Sequence, residues 1–308
     1  SSNTFVPMLE QIVKQSFPLA KDSKMLIFGG GFSGQHIAAA ARRLGAKVLC
    51  SRRIKDSPGA DFVFNSLNSA EMPSEDIFEG TTHLLSCIPP NTKGKDPVLE
   101  NLQKKLLSMP LEWVGYLSTT GVYGDSQGEW VGESQIAKPK QERSQKRLAC
   151  EESWKNLNQP VQILRLPGIY GPGRSAINNI INGKCKLIDK PGQVFSRIHI
   201  DDIAGAIMHL IHLSKEGKRP DVINIADDLP CSNVEVLSYA ASLVGVELPP
   251  VEQFQTASKE MSPMALSFWQ ENRRISNDLL CKDLRYSLIH PDYRSGLKEC
   301  LLHLNAFK

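Results

Sequence analysis

The run GGGFSG at residues 29–34 restricts what this 308-residue chain can fold into more than any other stretch. It closes KMLIFGG (24–30), an apolar strand pattern running into glycines, and opens QHIAAAARRLG (35–45), a helical pattern that Gly45 can stop. Glycines at 29, 31 and 34 thus stand in G-x-G-x-x-G spacing between a strand and a helix, with Phe32 and Ser33 inside the turn. In that context Gly29 makes the tight turn. Gly31 lets a pyrophosphate approach the backbone, and Gly34 lets helix and strand pack closely. The helix N-terminus then faces the phosphate charge. A merely structural Gly-rich turn is the competing reading, and the strand–turn–helix setting argues against it.

The first half of the chain repeats the same alternation. AKVLCSRR (46–53), ADFVFN (60–65), HLLSCIPP (83–90), LEWVGYLST (111–119) and VQILRL (161–166) read as buried strands. Amphipathic helices are expected over 97–109, with Leu99, Leu102 and Leu106 on one face, and across roughly 140–157. Near-continuous apolar strands separated by helices predict an α/β, Rossmann-type doubly wound parallel sheet covered on both faces. After Pro167 short apolar segments interleave with helices expected at 201–214, 232–245 and 292–305. The expected organisation is an N-terminal extension over 1–23 with a short helix from Met8 to Phe17, a dinucleotide-binding domain over 24–170, and a smaller α+β substrate lobe over 171–308 interwoven with it.

Composition excludes several function classes. A net charge of +3 from 36 basic and 33 acidic residues gives no reason to expect nucleic acid or a membrane surface as partner. No stretch approaches the ~20 apolar residues needed to span a bilayer, so a soluble chain is expected. The seven cysteines are odd in number and show no C-x-x-C, which points to core thiols in a reducing compartment rather than to a disulfide framework or a metal site. The chain opens on Ser rather than Met. The expected compartment is the cytoplasm, or an organelle stroma or matrix after removal of a transit peptide.

At the end of the second strand, where an NAD-selective site usually places a carboxylate on the ribose hydroxyls, stand Ser51, Arg52 and Arg53. Two guanidiniums and a hydroxyl suit a 2′-phosphate, so NADP is expected over NAD. A solvated basic turn is the alternative.

These pieces resemble the extended short-chain dehydrogenase/reductase superfamily, in its NAD(P)-dependent epimerase/dehydratase branch. STTGVYG (118–124) is similar to the branch's strand-five motif, in which a catalytic Ser or Thr, here Thr119, stands four residues before the Tyr of VYG. LRLPGIYGPGR (164–174) is similar to the strand-six motif, whose Pro167 and Gly168 would pass beside the nicotinamide. SRIHIDDIAGAI (196–207), INIADDLPCSNVEV (223–236) and NRRISNDLL (272–280) follow in the order the branch shows. The resemblance also implies that Ser86, Cys87, Ile88 and Ser118 lie against the cofactor. It implies a small-molecule substrate, a nucleotide sugar or a similar polar carbonyl compound, with Arg174 and Arg197 holding its anionic part. The helices at 97–109 and 140–157 form a two-fold dimer interface in many relatives, although the leucine stripe would equally serve packing on the sheet.

One departure stands out. The branch pairs its Ser/Thr with a Tyr-x-x-x-Lys relay on the following helix, and here those positions read Arg143 and Arg147. None of the six tyrosines has a Lys four residues later. An arginine stays protonated and makes a poor proton shuttle, although Arg147 can bind ribose or phosphate as the Lys does. A salt-bridged surface face is the rival explanation of both arginines. Tyr123 becomes a candidate acid/base, its alternative role being a pocket wall. His209 and His212, three apart on a helix, are expected in packing or solvent, with no metal bound. Two functions from different classes remain: an oxidoreductase or epimerase, and a cofactor-binding regulatory or assembly protein with little or no turnover.

Overall fold

The computed structural model describes residues 6–67 and 72–304. Seven strands form the central sheet: β1 (Lys24–Phe28), β2 (Lys47–Arg52), β3 (Phe62–Val63), β4 (His83–Ser86), β5 (Trp113–Thr119), β6 (Val161–Leu166) and β7 (Val222–Asn224). Their order is β3-β2-β1-β4-β5-β6-β7, and every neighbouring pair is parallel. The order reverses between β1 and β4, which opens a crevice at the carboxyl ends of those two strands.

Period-two alternation makes both faces apolar. Along β1, Met25 and Ile27 enter one core while Leu26 and Phe28 enter the other. The first core is roofed by α1 (Val6–Gln15), α2 (Phe32–Arg43) and α5 (Ile200–Lys215), through Leu9, Ile12, Ile37, Ala41, Ile203 and Ile207. Small alanines along α2 let it sit close to α5. The second core is covered by α3 (Pro97–Ser108) and α4 (Glu142–Lys155), through Val98, Leu99, Leu106, Cys150 and Trp154. Asp96 caps α3, accepting from the Val98 and Leu99 amides at 3.0 Å, and also takes the Trp154 indole N–H at 2.9 Å, which ties the two helices together. The leucine stripe of α3 therefore faces the sheet: Leu99 and Leu106 are buried, and Leu102 packs against the same core.

A third apolar cluster lies outside the sheet. It joins Tyr170, Ile177 and Leu187 to α6 (Asn233–Val244) and α7 (Tyr293–Leu302). Two-stranded parallel ribbons stitch this lobe to the sheet layer, Gly168–Tyr170 with Arg197–His199, and Trp130–Val131 with Arg274–Ile275. The segment DVINIA supplies the outermost strand of the main sheet, so the chain returns to that layer at β7 after passing through the lobe. All seven cysteines are free. Among the described residues, no helix is long and apolar enough to cross a membrane.

Candidate dinucleotide groove

The glycine turn is built as a cradle. Gly29 has φ +97°, a conformation that suits glycine, and its N–H donates to Ser51 Oγ at 2.9 Å. The Gly30 amide donates to the Ser51 carbonyl at 2.8 Å, so the end of β2 holds the turn from beneath. A Cβ at Gly34 would run into the Gly29 carbonyl oxygen, whereas one at Gly31 would meet nothing within 4 Å. The open space is thus on the groove side of Gly31, where α2 begins without a side-chain cap. Its first amides point into that space with the positive end of the helix dipole behind them. These features fit a pyrophosphate.

The groove over this turn has a volume of about 960 Å3. Of the residues singled out from sequence, it is lined by Gly29, Gly31, Phe32, Ser33, Gly34, Ser51, Arg52, Arg53, Cys87, Ile88, Ser118, Thr119, Arg147, Pro167 and Arg174. Ser86, Tyr123, Gly168 and Arg197 do not line it. Ser86 is fully buried under the loop, its Oγ 3.4 Å from the Ile88 amide. Lining residues that sequence reasoning passed over include Asn65, Ser66, Pro89, Asn91 and Thr92. Their signal was position, since they follow β3 and β4 at the carboxyl end of a parallel sheet.

The charge of the groove is one-sided. Four guanidiniums line it, and among the described lining residues there is no Asp, Glu, His, Tyr or Lys. Arg52 lies across the turn, donating to the Gly30 carbonyl at 2.6 Å, while Arg53 is exposed at the rim. Arg174 stands over the Phe32 ring at 5.4 Å. The remaining ionisable wall group is Cys87, whose thiol burial pushes far above its ordinary range.

At the β5 end the three hydroxyls have separate tasks. Ser118 Oγ donates to Glu151, and Glu151 also receives Arg165 through Nη2 at 2.7 Å and Nε at 3.1 Å, all three being buried. Thr119 Oγ1 accepts from the Gly121 amide at 3.1 Å, which leaves its hydroxyl hydrogen free to donate into the groove. Thr120 is buried. Tyr123 is buried too: its OH donates to Asn224 Oδ1 at 2.7 Å, Arg165 stands 4.8 Å from its ring, and burial raises the phenol's pKa.

Of the two α4 positions at which the resemblance implied a relay, Arg143 is engaged outside the groove and Arg147 lines it. Arg143 Nη1 donates to Ser267 Oγ at 2.8 Å, and its guanidinium lies 4.6 Å from the Phe268 ring. Arg147 faces the groove while Nη1 donates to the Leu117 carbonyl at 2.7 Å. Lys146 reaches the Thr92 carbonyl at 2.8 Å and Glu142 at 3.2 Å. Arg197 is enclosed in the lobe, its Nη1 donating to the Phe195 and Cys231 carbonyls at 2.9 and 3.2 Å, and burial lowers its pKa. His212 stacks on Phe17, and His209 bonds the Leu284 carbonyl.

A parallel sheet with this turn and groove defines a dinucleotide-binding α/β protein. The sequence profile of the NAD dependent epimerase/dehydratase family matches residues 25–226, and the chain belongs to that family. A functionally unknown conserved protein from Silicibacter pomeroyi DSS is 36% identical, with a TM-score of 0.81 over 91% of this chain and 98% of that one. A human epimerase family protein solved with NADPH shares the fold at 17% identity and TM-score 0.69, over 91% of this chain and all of that one. UDP-glucuronic acid 4-epimerase from Bacillus cereus, solved with NAD, does so at 19% identity and TM-score 0.69, over 92% of this chain and 98% of that one. No curated protein matches the chain.

Proposed function

We propose that this protein binds NADP(H) and acts as an oxidoreductase or epimerase on a small polar carbonyl compound, the nucleotide sugars included, without a side-chain proton relay. The observation that carries this reading is the groove itself, with four arginines and no carboxylate among its described lining residues. Guanidiniums match phosphate oxygens in charge and geometry, and a 2′-phosphate finds none of the repulsion a ribose-binding carboxylate would exert. Gly31 and the first turn of α2 hold the pyrophosphate, Arg53 and Arg52 flank the adenosine end, and Arg147 faces the nicotinamide ribose.

The nicotinamide ring, when bound, supplies or accepts the hydride. Thr119 donates a hydrogen bond to the carbonyl oxygen and so favours the charge that develops there. The proton itself comes from water or the substrate, because the described residues lining the groove include no His, Tyr, Lys, Asp or Glu. A second reading, a cofactor-binding regulatory protein with little turnover, is favoured by the engagement of Arg143 with Ser267.

Fluorescence titration tests the cofactor assignment. NADPH should bind more tightly than NADH by about 10- to 150-fold, the value of one charge-assisted contact of roughly 1.5–3 kcal/mol. Arg53→Ala should remove most of that difference. Equal affinities in the parent protein would refute the NADP assignment.

A further inference from the structure

A second polar cluster lies away from the groove, where α2, α5 and α7 meet. His199 caps α5, its Nδ1 accepting the Asp201 amide at 2.9 Å. That tautomer leaves the ring proton on Nε2, which faces Glu299 Oε1 of α7 at 2.8 Å. The other Glu299 oxygen is 2.9 Å from His303 Nε2. Asp201 continues the chain: Oδ1 takes His36 of α2 at 2.8 Å, and Oδ2 takes His290 at 2.9 Å. His36 stands in the second turn of the helix that carries the phosphate turn.

Asp201 and Glu299 differ in how they are served. Asp201 has two in-line donors. Burial alone would raise its pKa, but the bonds from His290 and His36 outweigh that and hold it anionic. The contacts to Glu299 are close but bent. Neither of its oxygens, nor Nε2 of the fully buried His199, completes a hydrogen bond. A charge on Glu299 is therefore poorly satisfied, and it also faces the charge of Asp201.

We propose that this junction is a proton-operated clasp: α7 docks firmly while Glu299 holds a proton and loosens when that proton leaves to solvent, and Asp201 and His36 pass the change to α2. The groups facing Glu299 are His199 at the cap of α5, Asp201 from α5, His36 from α2, His290 from the preceding segment, and His303 from its own helix. The direction follows from burial first and Asp201 repulsion second, which push Glu299 up to about 7 against an ordinary 4.5. Docking then takes up a proton. The stabilisation is full below about 4.5 and is lost as pH rises through about 7.

Hydrogen exchange of the full chain, corrected for intrinsic rates, tests this without any cofactor. Protection of α7 should fall about tenfold from pH 6 to pH 8, the linkage of one such carboxyl, with a smaller parallel fall in α2. Glu299→Gln keeps shape and removes this titration, so its protection should fall clearly less than the parent's, the remaining slope belonging to the other raised groups nearby, His290 and Asp227. Asp227→Asn removes the contribution of another raised carboxyl of the lobe, and on that background Glu299→Gln should still flatten the slope at α7. The clasp is refuted by equal slopes in the parent and Glu299→Gln, by a slope that only Asp227→Asn removes, or by an exchange profile that changes when EDTA is added.

Discussion

Arg143 and Ser267 are joined across 124 residues of sequence by a 2.8 Å hydrogen bond, and the arginine side chain stacks on the neighbouring Phe268. The helix position at which the family resemblance implied an acid/base tyrosine is thus a strut between α4 and the helix Pro263–Gln270. Replacing that strut should not by itself create a relay. Arg143→Tyr alone should leave turnover slow, because Arg147 remains bonded to the Leu117 carbonyl. Arg143→Tyr combined with Arg147→Lys should raise it, toward the ~10²–10⁴-fold that a positioned acid/base contributes. Single-turnover oxidation of bound NADPH by a panel of small aldehydes measures the change. A double variant no faster than the parent would show that more than these two positions is missing.

Gly31→Val should fold and lose NADPH. The added side chain has room in the structure, so it fills the space the pyrophosphate needs rather than clashing with the chain. Thermal unfolding and a fluorescence titration, run together, separate the two effects. Unchanged NADPH affinity in a folded variant would mean that the phosphate turn lies elsewhere.

Arg174 and Arg197 should part company. Arg174→Ala removes a guanidinium from the groove and should weaken NADPH by about 10- to 150-fold with little change in stability. Arg197→Ala removes a buried donor from two carbonyls and should lower stability by roughly 1–3 kcal/mol, leaving affinity near the parent value. Urea unfolding and titration of both variants decide it, and a large affinity loss confined to Arg197→Ala would reverse the assignment.

Much of this was legible in the chain. Strand periodicity and the glycine spacing marked the loop after β1, over which the groove opens, whereas the loop after β4 becomes its other wall only through the strand order, which periodicity does not carry. Other features depend on long-range contacts that periodicity does not carry. Ser86 belongs to the same short motif as Cys87 and Ile88, yet strand alternation turns it inward. Arg197 reads as one more cation in a basic segment until the Gly168–Tyr170 ribbon encloses it. The Pro263–Gln270 helix is too short for an amphipathic signal, so the partner of Arg143 was invisible.

Stability should decline on the alkaline side. Asp227 is buried with one oxygen unpartnered, and that burial pushes its carboxyl up to about 8. A raised carboxyl favours the fold while it is protonated, so its contribution fades as pH rises through about 8. Thermal melts at pH 7 and 9 should show a larger loss for the parent than for Asp227→Asn. Equal losses would mean that Asp227 is already charged at pH 7.

The most direct test is the turnover of the purified protein saturated with NADPH and mixed with small aldehydes and ketones. Ordinary enzymes reach about 10 per second. Without the relay's ~10²–10⁴-fold, the rate should lie near 0.1 to 0.001 per second, with no inflection between pH 6 and 9, and Thr119→Val should lower it further at unchanged NADPH affinity. Oxidation at tens per second, or a pH profile with a sharp inflection near neutrality, would contradict a groove whose described residues include no proton-transferring His, Tyr, Lys, Asp or Glu.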